Sequence, residues 1–393
     1  MPHRPGSERR IVNTPTSEGD LADIVCNAHE SFTPLRIAGN GTWLDAGRAV
    51  DATETLSTSK LSGITEYVPG DLVLTARAGT TLEEIEIATR RNGQFLALDP
   101  IGDARGTLGA AIATASSGPL AVGYGRPRDL VLGLSAISGD GQLLRVGGRV
   151  VKNVAGFDLV RLLTGSWGTL GVLTEVSIRL HALPQCDETV MVRLRADALA
   201  ATLKAFRSMP LSVMAAQLLN PAAASVVVRK RVSEPVLLVR SGGNRARVDA
   251  QRELVAQLGE SELLDTDVWS RLRTFELSDA DAHAVFRVSG GLARTSAVFE
   301  SIAAPGEASQ TLVSTSAGDG ITRVVCERTN ATAIIRRCLS SGFRVVGERL
   351  DDDAWQLLPA PMGTLSEGIR SVFDPHRILN PGMMQNSLAR ASA

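Results

Sequence analysis

The sequence predicts an α+β chain built as two units, and three observations carry that prediction. Apolar residues alternate with a period of two in several segments, and between those segments they recur at helical spacing. Three loops rich in glycine and other small residues fall in the first half, at 37–42, 106–119 and 165–171. After Pro184 such loops thin out and strands alternate with longer helices, which marks a second unit of different character.

Bulk properties bound the function. A length of 393 residues allows two or three substantial cores. A hydrophobic content of 44% beside 21% charged residues is that of a globular protein. A formal net charge of −1 implies neither a nucleic-acid footprint nor a polybasic membrane patch. Cys26, Cys186, Cys326 and Cys338 stand far apart, without a CxxC pair or clustered histidines. Free core thiols are therefore expected, with no zinc or iron–sulfur ligation and no metal site. The stretch 1–20 has neither an apolar core nor a cleavage site, and no apolar run approaches the ~20 residues that span a bilayer. A cytoplasmic location is the expectation.

Taken in order, residues 21–29 read as an amphipathic helix and 35–37 as a short strand that empties into Ala38-Gly39-Asn40-Gly41-Thr42. A strand opening into a Gly-rich turn with a Thr hydroxyl suits wrapping a diphosphate in backbone N–H groups. The loop matches neither GxGxxG nor GxxxxGK[ST], so the usual nicotinamide and P-loop fingerprints are absent, and an ordinary turn is the alternative. Residues 71–78 alternate as a strand. Thr81-Leu82-Glu83-Glu84 then supplies a capping box for a helix ending near Gly93, with Leu82, Ile85 and Ala88 as its core face.

Leu98-Asp99-Pro100 leads into the small-residue segment 106–119, which contains Thr107, Leu108, Gly109, Ser116, Ser117 and Gly118. Such a segment cannot fill a core by itself and must lie against something large. That is either a packed neighbouring element or a flat aromatic cofactor, with Thr107, Ser116 and Ser117 as hydrogen-bonding groups. Residues 129–138 and 142–146 read as a hairpin about Gly139-Asp140-Gly141.

The stretch 151–180 is the most informative: a loop, an abrupt helical turn at 158–163, a connection punctuated by Gly165, Gly168 and Gly171, and a strand at 172–180. At Gly165 a helix can end with φ > 0. At Gly168 and Gly171 the missing Cβ lets backbone approach a bulky anionic or planar ligand. Plain helix-to-strand punctuation is the alternative.

In the second unit, 189–194 reads as a strand, 196–208 as a helix with Leu199, Leu203 and Phe206 on one face, and 212–219 as a strand. Segments 225–229 and 235–240 read as a hairpin, followed by a helix at 245–258. That order predicts an antiparallel sheet covered on one side by helices, as in ferredoxin-like units. Alternation continues through Phe286-Arg287-Val288, a helix at 295–303, the segment 331–341 and a strand at 343–347. The segment 368–382 ends a helix with Asp374-Pro375 and closes in Asn380-Pro381-Gly382. It is too short for a domain and should dock on an earlier one; 387–393 should fray.

Segments 35–42, 106–119, 147–180 and 373–382 together resemble the FAD-binding E subunits of bacterial glycolate oxidases, in the vanillyl-alcohol-oxidase-type (PCMH-type) flavoprotein superfamily. The resemblance covers nearly the whole chain. Its specific part is the run 152–159, Lys-Asn-Val-Ala-Gly-Phe-Asp-Leu, followed by 168–176, Gly-Thr-Leu-Gly-Val-Leu-Thr-Glu-Val; each glycine loop alone is widely shared. It implies a PCMH-type two-subdomain FAD-binding domain at 15–184, a ferredoxin-like antiparallel α+β cap domain at 185–365, and a tail at 366–386 docking on the FAD domain.

The same resemblance implies FAD as cofactor. Ile37, Ala38, Gly39, Asn40, Gly41 and Thr42 would hold the pyrophosphate. Pro100, Thr107, Leu108, Gly109, Ser116, Ser117 and Gly118 would lie near the pyrophosphate and isoalloxazine, and Gly168, Gly171 and Val172 would support the adenine and ribose end. Covalently flavinylated relatives place His or Cys near the first loop, where this chain has Asn40 and Gly41, so non-covalent FAD is expected.

The implied activity is oxidation of glycolate, a 2-hydroxy acid, to glyoxylate. Electrons would pass to an iron–sulfur partner subunit and quinones, beside a catalytic FAD subunit, with membrane contact only through the complex. The related catalytic subunits use paired histidines as a metal site; His3, His29, His181, His283 and His376 show no such pair. Whether this chain itself oxidises the acid is thereby left open. Arg294 is a candidate carboxylate or subunit contact and His376 a candidate hydrogen-bond donor near the flavin, each with a structural alternative. No general base is identified. A self-sufficient FAD-linked 2-hydroxy-acid dehydrogenase and a flavin-free scaffold subunit are the competing readings.

Overall fold

The computed structural model describes residues 11–148, 158–275, 282–302, 311–359 and 363–384. Most of the distinctive run 152–157 and the terminal 387–393 lie outside the described residues.

The first unit holds two main sheets and a two-stranded antiparallel pair of Gln94–Phe95 with His181–Ala182. A three-stranded parallel sheet places Glu54–Ser57 between Ile11–Asn13 and Leu35–Ala38. Helix Glu18–Glu30 packs Leu21, Val25 and Ala28 beneath it, and its first turn is capped by Ser17 Oγ, which accepts the N–H of Asp20 at 3.1 Å. A five-stranded antiparallel sheet runs in the order Ile64–Val68, Val73–Arg77, Val172–Arg179, Val131–Ile137, Leu143–Gly147. Helix Leu82–Arg90 starts in the capping box of Thr81 and Glu84. Ile137 and Val172, at the ends of adjacent strands of the second sheet, share one core with Leu21, Leu35 and Leu56. That shared core fixes the two sheets against each other.

The second unit is an eight-stranded antiparallel sheet in the order Ser261–Leu264, Cys186–Arg193, Val236–Gly243, Ala215–Leu219, Leu312–Ser316, Thr322–Glu327, His283–Ser289, Arg344–Arg349. It is a ferredoxin-like unit used twice. In each half the first and third strands in chain order lie side by side, flanked by the fourth and the second. The two second strands, Ala215–Leu219 and Leu312–Ser316, pair edge to edge and so cover what would otherwise be two open edges. One face carries the larger core, with Leu218, Phe286, Val324 and Ile334. Leu219, Trp269 and Val285 belong to a separate core.

The expected hairpin at 225–229 and 235–240 does not form. Pro221–Val228 is a helix, and only Val236–Gly243 is a strand. Asn220 Oδ1 accepts the N–H of Ala223 at 2.9 Å and proline occupies the first turn, both helix-start signals. Burial of Ala223, Ala224 and Val227 then outweighs the strand preference of the valines.

The C-terminal tail returns to the first unit. Leu35 N–H donates to Ile378 O at 2.7 Å and Asn380 N–H to Leu35 O at 2.9 Å, so the tail lies alongside the strand that precedes the first glycine loop. Arg370 and Asp374, both fully buried, hold this return. Asp374 accepts from Ile378 and Leu379 N–H, each at 3.0 Å, and Arg370 Nη2 donates to Leu379 O at 3.0 Å.

Candidate functional site

Three neighbouring clefts cross the molecule. The first, of about 830 Å³, is lined by the loop Ile37, Ala38, Gly39, Asn40, Gly41 and Thr42 together with Gly109, Ala113, Gly168, Gly171, Val172 and Asn380. The glycine positions are structurally required. A Cβ on Gly39 would stand 2.3 Å from Thr107 Oγ1, and one on Gly109 would stand 2.6 Å from Ala78 Cβ. Gly41 and Gly168 have φ of +76° and +66°, which disfavours any side chain. Arg36 is the charged residue among the described residues lining this cleft; no carboxylate lines it.

The small-residue segment forms helix Leu108–Thr114, capped by Thr107, whose Oγ1 accepts the N–H of Ala110 at 3.3 Å. Its two faces do different things. Leu108, Ala111 and Ile112 enter the core, while Ala110, Ala113 and Thr114 face the first cleft. One face therefore packs against neighbouring elements and the other lines the cleft.

The second cleft, of about 400 Å³, continues the first through the shared residues Thr42, Trp43, Ala110 and Thr114, and adds Pro100, Thr107 and Ser116. Ser116 Oγ accepts the N–H of Ile101 at 3.2 Å, and Ile101 leads to the third cleft. That cleft, of about 600 Å³, lies between Ser117, Gly118 and Pro119 and the sheet of the second unit.

The turn at 117–120 is held by Asp99. Its carboxylate accepts the N–H groups of Gly118 at 3.2 Å and Leu120 at 3.0 Å, and a Cβ on Gly118 would stand 2.1 Å from Asp99 O. Desolvation pushes the Asp99 carboxyl up to about 6, against the Leu120 N–H and the charges of Arg273 and Arg240.

The far wall of the third cleft was not anticipated from the sequence. Gln217, Ser314, Ser316, Arg323 and Arg287 form a polar row across four adjacent strands on one face of the sheet. Ser314 Oγ donates to Gln217 Oε1 at 2.9 Å. Arg287 and Arg323 are direct cross-strand partners, and Glu348 reaches both, at 2.6 Å and 3.7 Å. Burial lowers Arg323 to about 10, opposed by the Glu348 charge and reinforced by Arg349 and Arg287. The available signal was an arginine set between β-branched or aromatic residues in an alternating strand: Phe286-Arg287-Val288 and Thr322-Arg323-Val324.

Two predicted positions do not join the clefts. His376 stacks on His29 with ring centroids 3.9 Å apart and on Phe32 at 4.2 Å, and its Nδ1 lies 3.0 Å from His29 O, so it packs the tail on the first helix and lines none of the three clefts. The Arg294 guanidinium lies over the Phe343 ring at 4.4 Å and donates to Ser341 O at 2.9 Å, outside all three clefts. Among the described residues, no group of three or more His, Cys, Asp or Glu is placed to hold a metal ion, and no helix is long and apolar enough to cross a membrane.

The family model described as an FAD binding domain matches residues 10–147. Glycolate oxidase subunit GlcE of Escherichia coli K12 is 32% identical over 372 residues, which is 94% of this chain and 97% of that protein. D-lactate dehydrogenase of Archaeoglobus fulgidus is 37% identical over 188 residues, 47% of this chain and 41% of that protein. Among solved structures, substrate-bound p-cresol methylhydroxylase superposes with a TM-score of 0.77 over 96% of this chain and 89% of that chain; at 15% identity this likeness is one of fold. Fold, clefts and relatives define an FAD-binding oxidoreductase of the PCMH type. Within that class the chain belongs to the family of glycolate oxidase subunit GlcE.

The structure suits FAD on its own terms. Linked clefts provide an elongated path, the first has glycine backbone where a diphosphate needs close approach, and its charged lining residue is a cation.

Proposed function

We propose that the chain is the FAD-binding subunit of a glycolate oxidase or dehydrogenase complex that oxidises glycolate to glyoxylate, passing electrons to an iron–sulfur subunit and quinones beside a catalytic FAD subunit. The observation that carries this reading is the meeting of residues 37–42, 109–114 and 168–172 with Asn380 around one cleft. Boundaries at 15–184, 185–365 and 366–386 follow from the same reading.

Ile37 to Thr42 would hold the diphosphate by backbone approach, Gly168, Gly171 and Val172 would flank the nucleotide end, and Thr107, Gly109 and Pro100 would line the passage toward the ring. Ser116, Ser117 and Gly118 stand at the ring end, where Asp99 fixes their turn. Bound FAD supplies a two-electron acceptor for the hydride on the carbinol carbon of the acid. Neither His nor Cys lines the first cleft among the described residues, which supports a dissociable cofactor. The likeness to GlcE, named as a glycolate oxidase subunit, over 97% of that protein supports a place in a multi-subunit assembly.

The test is a visible absorption spectrum of the purified chain, repeated after anaerobic addition of glycolate and again after addition of the large subunit. A flavin spectrum is required. Bleaching by glycolate alone assigns the chain a working site of its own; bleaching only with the large subunit assigns it an accessory role. A chain that remains colourless after FAD reconstitution refutes the reading.

A further inference from the structure

We propose that the third cleft is a carboxylate-binding subsite, in which Arg287, Arg323 and Arg273 receive the carboxylate of a small 2-hydroxy acid on this chain itself. The inference rests on the FAD reading only for the identity of the acid; the anion site stands on the geometry of the sheet.

Arg287 and Arg323 face each other directly in antiparallel register. Like charges at such positions destabilise a sheet, and a local rule broken inside a well-packed element marks a functional position. One carboxylate, Glu348, serves both guanidiniums. Asp319, the acid that lines the cleft among the described residues, is engaged by Arg126 at 2.9 Å. Arg273 donates to Pro100 O at 3.0 Å and Gly102 O at 3.4 Å, which holds its guanidinium at the rim of the cleft. Arg287 and Arg323 therefore share the single carboxylate of Glu348, while the Arg273 charge also acts on Asp99.

Arg323 is 8% exposed; its Nη1 donates to Arg273 O at 3.4 Å, and its Nε, 3.7 Å from Glu348 Oε2, makes no hydrogen bond among the described residues. A buried guanidinium with an unspent donor favours an incoming anion, and its planar fork matches a carboxylate. Gln217, Ser314 and Ser316 add hydroxyl and amide groups suited to a 2-hydroxyl. Ser117, Gly118 and Pro119 form the opposite wall, so a bound acid lies between the sheet and the turn placed at the ring end of the cofactor path. Convergent polar groups in a cleft between two units are the usual form of a small-molecule site.

The experiment titrates the full-length chain, reconstituted with FAD, with sodium oxalate by isothermal calorimetry, using glycerol as the neutral control and measuring flavin content separately. Oxalate binds and glycerol does not. Arg287→Gln weakens oxalate about tenfold or more, equivalent to about 1.4 kcal/mol. Glu348→Gln, which removes the internal competitor, tightens it several-fold; a merely structural ion network predicts no gain. Arg287→Lys, which keeps the charge and loses the fork, is intermediate and serves if the Gln variant folds poorly. Absence of oxalate binding, or binding indifferent to both Arg287 and Glu348, overturns the proposal. Oxalate binding to a chain that retains no FAD would refute the cofactor reading and leave the anion site standing.

Discussion

The side-chain carbonyl of Asn380 accepts the N–H of Ile37 at 2.8 Å while its amide donates to Trp167 O at 2.7 Å. One residue of the C-terminal tail thus ties the strand before the first glycine loop to the residue before Gly168. The donor and acceptor partners fix the orientation of the amide. Asn380 also sits at φ 43°, a left-handed conformation that asparagine tolerates better than most residues.

Asn380→Ala removes both hydrogen bonds and leaves a donor and an acceptor unpaired in a part-buried site, at a cost of about 1–3 kcal/mol. The expected outcome is a lower melting temperature and faster loss of FAD on dialysis, read from absorbance after a fixed interval. Unchanged flavin retention would dissociate the tail from the cofactor site.

Gly41→Glu places a carboxylate in a cleft whose charged lining residue is Arg36, and on a backbone with φ +76°. It should abolish flavin retention. Gly41→Ala carries only the conformational cost, about 1–2 kcal/mol, and should retain a reduced fraction. Equal FAD content in the Glu variant and the wild type would refute the placement of the diphosphate.

Asp99 makes stability depend on pH with a definite sign. Its folded-state value, about 6, lies above its ordinary value of 3.8, so its contribution is fully present below pH 3.8 and is lost as pH rises through about 6. Asp99→Asn has no such titration. The melting temperature of the variant minus that of the wild type should therefore rise between pH 4 and about 6.5 and then level off; a difference independent of pH would contradict the raised value.

Arg48→Ala tests the latch on the segment after the first loop. The Arg48 guanidinium donates to Leu358 O at 3.0 Å and Trp355 O at 3.4 Å and lies 4.7 Å from the Trp355 ring centre. Beside it, Arg349 Nη2 donates to Asp45 Oδ1 at 2.8 Å. Loss of Arg48 should cost about 2 kcal/mol and expose residues 43–48 to limited proteolysis, with flavin protecting them. Wild-type resistance to protease in the variant would show that Arg349 and Asp45 suffice.

Local signals read correctly where the chemistry is local. Thr81 and Glu84 cap each other, Gly165 at φ 85° follows a helix, and Gly39 admits no side chain, because each of these depends on backbone geometry or on immediate packing that small residues announce. The failed hairpin at 225–229 shows the limit: a run of valines carries a strand preference that burial against a sheet reverses.

By itself the sequence determined the α+β class, the glycine loops and the helix caps, since missing Cβ atoms and capping side chains act within a few residues. Only the tertiary structure decided that Asn380 would bridge Ile37 and Trp167, that two ferredoxin-like halves would join through Ala215–Leu219 and Leu312–Ser316, and that Arg287 would face Arg323. Strand register and the return of a tail are set by long-range burial, and a shift of one residue in either strand would turn an arginine to the other face of the sheet.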